Sequence, residues 1–101
     1  MDALTALGDP TRRAIFEQLA ERPRAVVELA RALPVSRPAI SQHLKVLKQA
    51  RLVTDRAAGT RRIYRLDPDG VGALRAYLER YWNQALAAYK AIVEQPTEEE
   101  R

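Results

Sequence analysis

Arg37, Ser41, Lys45 and Lys48 recur every three to four residues through RPAISQHLKVLKQ, residues 37–49, with Gln42 next to Ser41. On a helix, residues at that spacing share a face. A guanidinium offers a fork of donors and an amide sets a donor beside an acceptor. A hydroxyl can do either, and an ammonium is a compact charge. This set recognises flat edges and anions and does not break bonds. Arg can bridge guanine O6 and N7, Gln can bridge adenine N6 and N7, and Ser can address either a base or a phosphate. Lys45 and Lys48, further along, suit phosphate oxygens, as does the helix N-terminus itself.

Other chemistry is poorly supplied. The chain of 101 residues has no cysteine and a single histidine, His43. That removes disulfides, thiolate nucleophiles and zinc–thiolate sites, and one histidine leaves no histidine-built metal site within one chain. There is no Gly-rich phosphate loop and no paired carboxylates, so enzymatic activity is not expected. Asp67 and Asp69 read as a cap and a first-turn acid complementing a helix dipole. No cofactor and no metal are expected. His43 reads as a packing or phosphate-contacting residue. Ser36 reads first as a helix cap and second as a base contact.

Charge follows the donors. Residues 1–66 hold 13 Lys and Arg against 6 Asp and Glu, whereas residues 67–101 hold 4 against 7. Within residues 37–65 eight bases meet one acid, Asp55. A basic part joined to an acidic part fits a polyanion-binding surface beside a separate packing region. The start, MDALTALGDPTRR, lacks the cationic and apolar runs of a signal peptide. No apolar run approaches the ~20 residues that cross a bilayer. A cytoplasmic protein with no membrane partner is expected.

The elements that must position these residues are well punctuated. DALTALG reads as a short apolar helix ending at Gly8. Asp9-Pro10 then gives a capping side chain followed by a proline where its missing N–H costs nothing. PTRRAIFEQLAER carries the apolar stripe Ile15, Phe16 and Leu19 and ends at Pro23. Arg12 and Arg13 are either solvated or paired with Glu17 at helical spacing. VVELARAL follows and closes at Pro34. Residues 36–49 then form a helix in which Ile40, Leu44 and Leu47 face inward. LVTDR and RRIYRL, separated by AAGT, read as a hairpin with Gly59 free to take a positive φ. Arg56, Arg61 and Arg62 gather near its tip, suited to phosphates or an adjacent minor groove. Asp67-Pro68 repeats the cap-and-proline device and opens a helix over about residues 68–94, ~40 Å long at 1.5 Å per residue.

The fold class expected is mainly α with a small β-hairpin: a winged helix-turn-helix with four helices, a two-stranded wing and a long C-terminal helix. Residues 1–95 should form one domain, with 96–101 a frayed acidic tail. In a helix-turn-helix the second helix enters the major groove. Residues 36–49 are that helix, with Ser36, Arg37, Ser41, Gln42, His43, Lys45 and Lys48 as its candidate contacts. Double-stranded DNA is the expected partner. The alternative, a winged helix that binds a partner protein, predicts apolar or acidic residues where Arg37, Lys45 and Lys48 stand.

The last helix has a second task. Leu74, Tyr77, Leu78, Tyr81, Ala85, Leu86, Tyr89, Ile92 and Val93 form a broad apolar stripe, widened by Trp82. A stripe of this width on a helix that outruns the core reads as a self-association surface rather than a cofactor box. With Leu4 and Leu7 of residues 1–8, it would join two copies about a two-fold axis. Such a homodimer would set its reading helices ~34 Å apart, on successive major grooves. Trp82, Tyr81 and Tyr89 could also line a pocket for a small apolar or aromatic effector.

Three stretches, ALGDPTRRAIFEQL, VVELARALPVSRPAISQHLKVLKQARLV and DRAAGTRRIYRL, closely resemble the ArsR/SmtB-type bacterial winged-helix repressors. Typical members run "LADPTR…IL..L", "S.HL..L..AGLV" and "R..G....Y.L" in this order, and the likeness spans about residues 3–66. The resemblance implies a homodimer joined through its first and last helices on a pseudo-palindromic operator near its own promoter. It also implies release when a ligand or metal binds. Metal-sensing members carry cysteines in the helix matching VVELARAL, or Asp/His/Glu sets in the last helix. Here the first has no Cys and the last no His, so a metal-independent branch is expected. Where the family usually has Gly before LV, this chain has Arg51, which adds charge near the base of the wing.

Overall fold

The computed structural model describes residues 1–95, and the expected frayed tail, 96–101, lies outside them. The chain runs α1 (Ala3–Leu7), α2 (Pro10–Glu21), β1 (Arg24–Ala25), α3 (Val26–Ala32), α4 (Arg37–Gln49), β2 (Val53–Ala58), β3 (Arg61–Leu66) and α5 (Pro68–Glu94). It is a winged helix-turn-helix.

Helix starts follow local chemistry. The Asp2 carboxylate accepts from the Thr5 N–H at 2.8 Å and Asp9 from the Arg12 N–H at 2.9 Å. Ser36 Oγ accepts from the Ala39 N–H at 3.3 Å, and Asp67 from the Asp69 N–H at 3.0 Å. Each satisfies an amide that has no partner inside its helix. Arg12 does not take Glu17: its Nε donates to the Ala6 carbonyl at 2.7 Å, fastening α2 to α1.

The sheet has one strand more than the two expected. β1 pairs antiparallel with β3, Arg24 opposite Tyr64 and Ala25 opposite Ile63, giving the order β1-β3-β2. Two residues are too few to show a strand's alternation, so β1 leaves no mark in the sequence. The expected AAGT loop is shorter too. Ala58 pairs with Arg61, leaving only Gly59 and Thr60 in the turn, with Gly59 at φ 65°. A two-residue turn with glycine first matches the twist of the strands it joins.

The core lies where α2, α3 and α4 meet the base of the wing. Ile15, Leu29, Ile40, Leu44, Leu47, Leu52 and Val53 are fully buried there. Tyr64 and Leu66 of β3 pack against it. Leu7 and Leu74, expected on the self-association surface, pack against this core as well. α5 is different: Gly70 is its one buried residue, and most of its length stands clear of the core. The described chain measures 73 × 26 × 23 Å in consequence.

Candidate nucleic-acid interface

Burying Ile40, Leu44 and Leu47 fixes the rotation of α4, and with it the face turned outward. Arg37, Ser41, Gln42, Lys45 and Lys48 are all exposed, while His43 is half-buried. Ser36 is exposed and serves as the cap. The donor set anticipated for base edges and phosphates therefore sits together on one helix face, open to solvent.

Beside it stands the wing. Arg56 is exposed on β2. The other two wing arginines are already engaged. Arg61 Nη2 lies 2.7 Å from Glu28 Oε1 on α3, and Arg62 Nη1 lies 2.9 Å from Asp55 Oδ2. Lys48 Nζ reaches the other oxygen of Asp55 at 2.7 Å. The Asp55 side chain is 5% exposed, so its two oxygens are covered and each holds one cation. The geometry follows from strand alternation: residues 53, 55 and 57 point to the face that packs on α4, and so do 62, 64 and 66. The hydrogen bond from Lys48, then that from Arg62, holds the Asp55 carboxyl below the usual carboxylate range.

Glu28 gathers more partners. It accepts from the Ala25 N–H at 3.1 Å and also pairs with Arg22 at 2.9 Å. Led by the Ala25 amide and then Arg22, these contacts lower its pKa from 4.5 to about 2. These two carboxylate hubs, Glu28 and Asp55, were not among the residues expected at the site. Asp55 had one visible signal, its position as the lone acid among eight bases. Glu28 had none, since its wing partner lies 33 residues away.

The expected association surface is exposed in the single chain. Leu4, Tyr77, Leu78, Tyr81, Ala85 and Tyr89 face solvent, and Trp82 is 64% exposed. Tyr77 and Tyr81 meet edge-on, ring centroids 5.1 Å apart. Trp82 shares an open, mostly apolar groove of about 490 Å³ with Phe16, Val71, Leu74 and Leu78. Tyr81 and Tyr89, grouped with Trp82 in the effector reading, do not line it. Among the described residues, no group of three or more His, Cys, Asp or Glu side chains could hold a metal ion. Among them, no helix is long and apolar enough to cross a membrane.

Comparison with known proteins gives the same architecture a lineage. Residues 9–55 match the family described as bacterial regulatory protein, arsR family. The chain is 64% identical over 92 residues to the HTH-type transcriptional regulator Rv2034 of Mycobacterium tuberculosis, covering 91% of this chain and 86% of that protein. The crystal structure of a possible transcriptional regulator for arsenical resistance is 42% identical, with a TM-score of 0.73 over 87% of this chain and 96% of that one. The solution structure of the homodimeric winged helix-turn-helix DNA-binding domain of Mb0332 from Mycobacterium bovis is 33% identical, with a TM-score of 0.64 over 81% of this chain and 76% of that one. An extent of identity that reaches from the capped helices through the wing into the long helix leaves one assignment: the chain belongs to the arsR family of bacterial regulatory proteins.

Proposed function

We propose that this chain is a dimeric, sequence-specific DNA-binding transcriptional repressor that acts in the cytoplasm on a pseudo-palindromic operator near its own promoter, without a metal. One observation carries the reading. α4 presents Arg37, Ser41, Gln42 and Lys45 outward from a helix pinned by three buried aliphatic side chains. Arg37 and Gln42 read bases, Ser41 reads bases or phosphates, and Lys45 and Arg56 grip the strand. The cations on this face oppose the alternative of a protein-interaction module. Residues 1–95 act as one domain, in which α1 and α5 join the two copies. The homodimeric state in the name of the Mb0332 domain supports that arrangement. Release by a small apolar effector is part of the proposal.

Fluorescence anisotropy with the gene's own upstream fragment and a scrambled duplex tests this directly. Affinity for the upstream fragment exceeds that for the scrambled one and falls steeply with salt as counterions are released. Gln42→Ala costs ~1–3 kcal/mol and relaxes the preference at one base pair. Equal affinity for the two fragments would defeat the operator reading.

A further inference from the structure

We propose that Asp55 is a positioning residue of the DNA-binding surface: one covered carboxylate fixes the wing against the recognition helix and withholds one of two cations from the duplex. The inference rests on the DNA-binding role proposed above. Its basis is a three-element junction. Lys48 is in the last turn of α4, Asp55 is on β2 and Arg62 is on β3. The carboxylate holds the two cations at 2.7 and 2.9 Å, one on each oxygen. It is the only acid within residues 37–65.

Two consequences follow. The first is geometric. Asp55 and Arg62 share the wing, so rotating the wing relative to α4 would pull Lys48 alone away and leave one oxygen of a 5% exposed carboxylate without its cation and with little access to water. The angle between the base-reading helix and the strand-gripping wing is therefore held before DNA arrives. Such a fixed angle favours the one duplex register in which both engage.

The second consequence is electrostatic. The Lys48 and Arg62 side chains are half in solvent, 55% and 56% exposed, yet they share a single negative charge. Together they offer the phosphates one net positive charge where the sequence shows two. Nonspecific affinity scales with phosphates neutralised, so Asp55 weakens binding to every sequence while preserving the preference for one.

The test uses the full chain and the two duplexes named above, with Kd measured across a salt series. Asp55→Asn frees the second cation. On scrambled DNA, the slope of log K against log salt steepens by about 0.9, one additional phosphate contact. The affinity ratio of upstream to scrambled fragment falls. Glu17→Gln makes the same charge change on α2, away from the junction, and leaves the slope unaltered. Lys48→Gln/Asp55→Asn covers the case in which Asp55→Asn does not fold. It leaves Arg62 unshared at the same net charge, so the wild-type slope is retained although a lysine has been lost. A slope flattened by about 0.9 in that double variant would mean that Lys48 contacts phosphate independently of Asp55, and would overturn the proposal. So would a folded Asp55→Asn protein with the wild-type slope and ratio. Wild-type protein that does not discriminate the two duplexes refutes the operator reading instead, a result visible before any variant is made.

Discussion

Arg51 holds the one positive φ of any non-glycine residue among those described, 64°. It ends α4. The Arg51 N–H donates to the Lys48 carbonyl and the Leu52 N–H to the Leu47 carbonyl, both at 3.0 Å, closing the helix in the pattern that wants a left-handed residue just past the cap. This explains why the family usually has glycine there: an L side chain in that region costs roughly 1–2 kcal/mol. The junction is tight as well as strained. A Cβ on Gly70 of α5 would fall 1.5 Å from the Arg51 carbonyl oxygen, so the start of the last helix lies directly on this turn. Arg51→Gly relieves the strain at the expense of some unfolded-state entropy. The expected result is a net gain of about 1 kcal/mol, raising Tm by roughly 4–8 °C in thermal unfolding. An unchanged or lowered Tm would show that the Arg51 side chain makes stabilising contacts that outweigh its backbone strain.

Between elements, charge does what packing does inside the core. Glu28 ties the start of α3 to Arg22 beyond α2 and to Arg61 on the wing, and the Ala25 amide adds a third donor. Its pKa is lowered from 4.5 to about 2, so the folded state favours the ionised form. The stabilisation is complete above about 4.5 and disappears as pH falls through about 2. Glu28→Gln should therefore lower the urea midpoint near neutral pH, with the difference from wild type closing as pH falls across that window. A difference independent of pH would mean that Glu28 works through shape and not charge. This network also marks where legibility in the sequence stops. Asp9-Pro10, Ser36 and Asp67-Pro68 announced three helices because caps act on amides two or three residues away. Ile40, Leu44 and Leu47 announced the inward face of α4, and thereby the outward face of Arg37, Ser41 and Gln42, because a helix repeats locally. β1 exists only because β3 lies beside it, and Glu28 meets Arg61 only after the sheet has formed. Partners set by tertiary proximity leave no local period to read.

At the scale of the whole molecule, the exposed stripe of α5 is where the proposed dimer can be tested. A 27-residue helix with one buried residue leaves Leu78, Tyr81, Trp82, Leu86, Tyr89, Ile92 and Val93 in solvent. Packing of an amphipathic face supplies most helical stability in water, and this face has nothing among the described residues to pack on. In a two-fold dimer every side chain counts twice. Leu78 is 48% exposed in the single chain, and burying a leucine is worth ~1.5–3 kcal/mol. Leu78→Glu, by losing about half of that on each copy and placing two carboxylates in the interface, should raise the dimer dissociation constant by at least ~10-fold. Sedimentation velocity at micromolar protein should then find monomers for Leu78→Glu and dimers for wild type. Trp82 gives an independent reading. A partner that covers it shields the lone indole, so wild-type emission should shift to the red on dilution, whereas the variant's should already be red. If the proposed dimer sets two copies of α4 ~34 Å apart on the operator, upstream-fragment affinity of the variant should drop towards that of a single half-site. If the variant sediments as a dimer and keeps full affinity, the two copies join elsewhere, and the exposed stripe of α5 belongs to a different partner.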